Sequence, residues 1–383
     1  MPRWLYYLLI MAVVAPVIGL VWSGQELAIF ICSALGLVPL AALIGRATEN
    51  LEYYVGPIVG GLLNATFGNA PEIIIGIFAL QQGLISVVKA SIAGSIVSNI
   101  LLVLGSALAL GGWRWGKQYF NARDAGQYSV MMVLAVAGLL IPFTATLVVK
   151  DSGRIQALSV AISVVLLIVY ILYLSVHVFH LRTRRRNPLL KGKSAPSPVT
   201  SELADTVGVV GTVEAVSGNA DPRQTVSQTP PRPWITLLIL LVATIGTAWN
   251  SELLVGAIRP VAIQLGWSQV FIGLVIIPII GNAAEHSSAI YVAYKDRVDL
   301  TVGIAAGSSI QVATLVAPLL VLISLFFSTH LDLVFQPLEL VVLAIAAVLF
   351  AFISLDGESS WLPGVQLVAL YLMACIVIFF MSG

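Results

Sequence analysis

Charge is scarce in this chain. Only 10% of its 383 residues are Asp, Glu, Lys or Arg, against about a quarter in soluble domains, which excludes an ordinary water-soluble globule. The formal net charge is +1, so nothing in the balance asks for a polyanion and no nucleic acid partner is expected. Cysteine is nearly absent: Cys32 and Cys375 both fall inside apolar runs, where packing is expected rather than pairing. No Cys/His pair has zinc-site spacing, and no resident cofactor is expected. Glu285-His286 and the nearby serines invite a hydrolytic reading. The chain lacks an HExxH pair, a nucleophile elbow and a Ser/Lys pairing, so an enzyme is not expected.

What the chain has is apolar length. Hydrophobic residues make up 59% and mean hydropathy is +1.00. Windows of about 20 apolar residues fall near 4–22, 27–45, 55–81, 84–110, 128–149, 155–179, 234–257, 268–294, 299–327, 336–355 and 362–381. The expected fold is an all-α polytopic membrane protein of eleven transmembrane helices, with the lipid bilayer as its partner. The first window ends at Ser23-Gly24-Gln25 without a small-residue cleavage pattern, so it reads as a retained helix and not a signal peptide. A cytoplasmic N-terminus places on that side all the Lys and Arg except Lys89, Lys150, Arg154 and Arg259, satisfying the positive-inside rule. The C-terminus is then outside, and the expected location is a bacterial plasma (inner) membrane. Residues 181–233 open with Arg182 to Arg186, are rich in Ser, Thr, Pro and Gly, and read as a disordered cytoplasmic linker. The expected division is therefore an extra N-terminal helix (1–24), a first half (25–180), the linker (181–233) and a second half (234–383).

Inside this apolar background one pentapeptide occurs twice. Gly68-Asn69-Ala70-Pro71-Glu72 and Gly281-Asn282-Ala283-Ala284-Glu285 differ at one position and lie 213 residues apart. The serine-rich blocks Ala93-Gly94-Ser95-Ile96-Val97-Ser98 and Ala306-Gly307-Ser308-Ser309-Ile310-Gln311 have the same offset of 213. The pentapeptides sit in the third and eighth windows, five crossings apart, so the copies run through the membrane in opposite directions as an inverted repeat of two five-helix halves. A carboxylate within a bilayer costs about 2.5 kcal/mol or more. Two in matching frames point to one shared site.

The residue types define its chemistry. The carboxylates of Glu72 and Glu285, the amide oxygens of Asn69 and Asn282, and backbone carbonyls near Pro71 form a set of hard oxygen ligands suited to Ca²⁺. Gly68 and Gly281 remove side chains where backbones approach. Ser95, Ser98, Asn99, Ser308, Ser309 and Gln311 can complete the coordination or orient the glutamates. His286 either gates or relays protons or makes a local hydrogen bond. Two carboxylates balance one divalent ion, and the same oxygens take up protons when it leaves. That competition is the minimal basis of cation/proton antiport. Small-residue spacing, as in Gly60/Asn64/Gly68 or Gly303/Gly307, also serves plain helix packing, but no span centre offers a Lys or Arg to neutralise the glutamates.

At these blocks the chain resembles the calcium/proton exchanger (CAX) family of the cation/calcium antiporter superfamily. The resemblance runs through residues 61–72, 89–99, 277–286 and 307–313, in order along nearly the whole chain. It implies an eleven-span fold, exchange of Ca²⁺ for H⁺, and cation binding by Glu72 and Glu285 with Asn69, Asn282 and Gln311 nearby. The chain departs from the family pattern in three places: at Pro71, where Thr or Val is usual, at Arg259, where an acidic residue is common, and in a linker without an acidic helix. Coupling to Na⁺ or K⁺ and a passive glutamate-lined channel are the alternatives. The oligomeric state stays open.

Overall fold

The computed structural model describes residues 3–22, 24–186 and 232–381. Helices dominate because a chain in hydrocarbon must satisfy its backbone N–H and C=O groups within each segment. In order they are α1 (Arg3–Val21), α2 (Glu26–Val55), α3 (Pro57–Gly68), α4 (Ala70–Gln81), α5 (Ile85–Trp115), α6 (Ala122–Thr146), α7 (Ser152–Arg186), α8 (Pro233–Leu265), α9 (Gln269–Gly281), α10 (Ala283–Tyr294), α11 (Val298–Ser324), α12 (Pro337–Asp356) and α13 (Trp361–Met381). Eight are long and apolar enough to cross a membrane, or ten when the bent pairs α3/α4 and α9/α10 each count as one span; Leu5–Val21 of α1 is a shorter apolar helix.

Local chemistry sets the ends. The Asn121 side chain accepts from the Arg123 N–H at 3.0 Å to start α6, and Ser268 Oγ accepts from the Phe271 N–H at 2.9 Å to start α9. Gln336 and Glu339 form a capping box at α12, which commits the Glu339 carboxylate to structure. The all-α expectation needs one amendment: Gln118–Tyr119 (β1) pairs antiparallel with Glu358–Ser359 (β2), because the connecting loops also need backbone partners. Helix α7 runs on to Arg186, past the boundary expected at 180; the rest of the expected linker, up to Pro231, lies outside the described residues. Both cysteines are free.

Two groups of helices position the site. In the first, α8 lies along α2, and α1 covers α2. A Cβ on Gly36 would sit 2.6 Å from the Ala12 backbone, so glycine is what lets α1 close there. Asn250 Nδ2 donates to the carbonyls of Ala12 and Gly246 at 3.0 and 2.9 Å. The second group is built around α5 and α11, whose apolar windows are 83% and 67% buried; they are the central helices. At its N-terminal end α5 is tied to the 325–336 connection, Lys89 Nζ donating to Asp332 Oδ1 at 2.6 Å and the Val334 carbonyl at 2.8 Å.

Candidate cation site

The two pentapeptides are helix breaks. Between α3 and α4 the chain bends by 48°, and between α9 and α10 by 62°. The turning residues adopt the same conformation: Asn69 has φ −101° and ψ 17°, Asn282 φ −98° and ψ 12°. Each asparagine side chain turns back along its own helix, Nδ2 of Asn69 donating to the Ala65 carbonyl at 2.9 Å and Nδ2 of Asn282 to that of Pro278 at 3.2 Å. Glu72 and Glu285 thus fall in the first turns of α4 and α10, where the positive end of the helix dipole favours a carboxylate.

Each break also reaches into the other copy. Asn69 Nδ2 donates to Gln311 Oε1 at 2.8 Å, and Asn282 Nδ2 to Ser95 Oγ at 3.3 Å. With the nitrogens held by protein, the amide oxygens are turned the opposite way. A buried chain continues from His286 Nε2, 3.1 Å from Asn99 Oδ1, through Asn99 Nδ2 donating to Ser308 Oγ at 3.0 Å, to Ser308 Oγ donating to Glu285 Oε2 at 2.8 Å. Because Asn99 gives its N–H to Ser308, its oxygen must accept, so His286 carries its proton on Nε2.

Glu72 is held differently. Both its carboxylate oxygens are buried without a hydrogen-bond partner, although the residue as a whole is partly exposed. They lie against Gly281, where a Cβ would be 3.1 Å from Oε1, in the pentapeptide that ends in Glu285. Gly281 therefore makes room for a carboxylate of the other copy, and not for a backbone. Its mate Gly68 meets only Asn64 Oδ1 at 3.6 Å. Neither glutamate has an ion pair among the described residues, and no cluster of three or more His, Cys, Asp or Glu occurs there. The donor set is two carboxylates with neutral oxygens.

Sequence-equivalent contacts are made in one copy and not in the other. A Cβ on Gly94 of α5 would fall 2.1 Å from the Leu274 carbonyl of α9, and one on Gly273 would fall 2.9 Å from the Val87 carbonyl of α5. These helices touch backbone to backbone. At the equivalent place, 213 residues on, a Cβ on Gly307 would have no described atom within 4 Å, and α3 packs on α2 and α7 instead. One flank of the site is shut and the other open.

Of the thirteen residues expected at the site, the structure brings Asn69, Glu72, Ser95, Asn99, Gly281, Asn282, Glu285, His286, Ser308 and Gln311 into four groups of contacts, each of which crosses from one copy to the other. Ser98 instead donates to the Ser95 carbonyl of its own helix at 3.2 Å, and Ser309 to that of Ala305 at 2.8 Å. Gly68 stands at the break without touching either carboxylate. The Asn99 bridge to His286 and the full breaks at Asn69 and Asn282 were not foreseen; the repeated Gly-Asn was the one trace the two breaks share.

The matching family model is that of the sodium/calcium exchanger protein, over residues 25–179 and 235–380. The chain is 41% identical to a Ca²⁺/H⁺ antiporter of Synechocystis, over 94% of this chain and 93% of that one. It is 37% identical to the Ca²⁺/H⁺ antiporter ChaA of Bacillus subtilis, over 99% of each. The solved structure of native YfkE superposes with a TM-score of 0.77 at 34% identity, covering 98% of this chain and 99% of that one. With its helix breaks, its paired carboxylates and likeness along its whole length, the chain belongs to the sodium/calcium exchanger family of integral membrane transporters.

Proposed function

We propose that this protein exchanges Ca²⁺ for H⁺ by alternating access, with Glu72 and Glu285 as the shared ligands. One observation carries the reading: the Glu72 carboxylate is buried without a partner against Gly281, in the helix break that carries Glu285, and neither glutamate has an ion pair among the described residues. An arrangement of that kind is stable only when protons or a metal supply the positive charge. A divalent ion between Glu72, Glu285 and the amide oxygens of Asn69 and Asn282 satisfies both carboxylates. When it leaves, protons take its place, so the two cargoes displace each other. Ser308, held by Asn99 and through it by His286, keeps Glu285 oriented in either case. The names of the relatives, Ca²⁺/H⁺ antiporters, support the choice of ions.

Counting α1 and each bent pair as one span gives eleven, in two inverted halves of five. With the N-terminus in the cytoplasm, α3 and the first half of α11 lie on the cytoplasmic side. The open flank then faces the cytoplasm of a bacterial cell and the shut flank faces out. Reconstituted in proteoliposomes, the protein should accumulate Ca²⁺ against its gradient when the lumen is acidified, and a Na⁺ gradient should not replace the pH gradient. Accumulation driven by Na⁺ alone would select the sodium-coupled alternative, and only downhill flux would select the channel.

A further inference from the structure

We infer that Gly61 and Gly307 are the positioning residues of a second seal, formed when α3 swings onto α11 and shuts the flank that now stands open. The inference rests on the alternating-access reading and goes beyond it by naming the residues that meet.

Its starting point is the shut flank. There Gly94 lies so close to the Leu274 carbonyl that any side chain would collide with it, at 2.1 Å. The repeat offset of 213 carries Gly94 to Gly307 and Leu274 to Gly61. In the present conformation neither mate is forced to be glycine. Gly307 has no described atom within 4 Å of its Cβ position, and the nearest to that of Gly61 is Leu174 Cδ1 at 3.6 Å, an ordinary contact. Neither has a positive φ. Glycine in a helix interior costs about 1 kcal/mol relative to alanine, so two of them without a present steric reason require another. The conformation in which the halves exchange roles supplies it: Gly307 then presses on the backbone at Gly61 as Gly94 now presses on Leu274. Packed interfaces of this kind have discrete arrangements and not a continuum, so a side chain wedged there would stop the cycle on one side. Gly60, the mate of Gly273, is held now by Glu52 of α2, whose Cγ would lie 2.2 Å from its Cβ. That contact would break as α3 leaves α2.

The test is Gly307→Leu in proteoliposomes, alongside the double variant Gly61→Cys/Gly307→Cys. Gly307→Leu is expected to melt with the wild type and bind radioactive Ca²⁺ in detergent, since it meets open space in this conformation, yet to lose exchange by about tenfold or more. The double-cysteine protein is expected to form a disulfide under oxidation, to stop exchanging, and to resume on reduction. A wild-type exchange rate in Gly307→Leu, or a cysteine pair that never joins or that exchanges normally once joined, would overturn the seal. If Gly307→Leu does not fold, the reversible disulfide decides alone. Absence of exchange in the wild type would instead overturn the transport reading.

Discussion

Glu72 and Glu285 are equivalent in sequence and different in surroundings. Ser308 donates to Glu285, while both oxygens of Glu72 lack any donor. Replacing either by Gln removes one of the two charges that balance a divalent ion, so Glu72→Gln and Glu285→Gln should each reduce pH-driven Ca²⁺ uptake to background. A hydrogen bond to a charged group is worth about 1.5–3 kcal/mol, which is about ten- to a hundredfold in affinity. Ser308→Ala should therefore weaken Ca²⁺ binding by about tenfold or more, measured by equilibrium binding. Ser98→Ala, whose hydroxyl serves only its own helix, should have a much smaller effect. Both serines are plain in the sequence, and only one faces a carboxylate. The difference was not legible because the repeat pairs Ser98 with Gln311, a longer side chain that crosses to Asn69.

At the scale of elements, each of the eight long apolar helices and both bent pairs among the described residues falls on an apolar window. What they could not show was how two of those spans are divided. A proline marks the first break, at Pro71, yet the second pentapeptide has Ala284 in its place and breaks in the same conformation. What the two breaks share is the Gly-Asn step, where each asparagine amide bonds the carbonyl four residues back. The π-helical turns at Ser98–Leu104, Ile272–Ile276 and Val312–Val316 left no compositional trace, since a wider turn needs no special residue. Such turns collect at functional sites, and two of the three follow the serine blocks. Glycine was legible as a close-packing signal, but not which glycine is in contact. Gly94→Val forces a side chain into the Leu274 carbonyl and should lower stability by about 1–3 kcal/mol, seen as a lower midpoint in thermal unfolding of the purified protein. The same change at Gly307 should leave that midpoint nearly unmoved.

Across the whole molecule, the scarcity of charge and the apolar runs carried the helical membrane architecture. The offset predicts that the two pentapeptides share one site, and Asn69 and Asn282 each bond to the serine block of the other copy. A repeat is symmetric in sequence, however, while any one conformation of an alternating-access transporter is not; the shut and open flanks could be seen only in coordinates. The proposed orientation predicts that a protease site inserted in the 181–233 segment is cut in inverted membrane vesicles and protected in intact cells. Cutting in intact cells would reverse the topology and, with it, the side to which the site is open. In the proposed exchange Ca²⁺ and H⁺ compete for the same carboxylates, so Ca²⁺ affinity should fall as the pH falls through the range in which those groups take up protons. The most direct test is calorimetric titration of the purified protein with Ca²⁺ in buffers of different ionisation enthalpy. Binding should release protons, and the release should diminish in Glu72→Gln and Glu285→Gln; tight Ca²⁺ binding with no proton release would contradict a shared site.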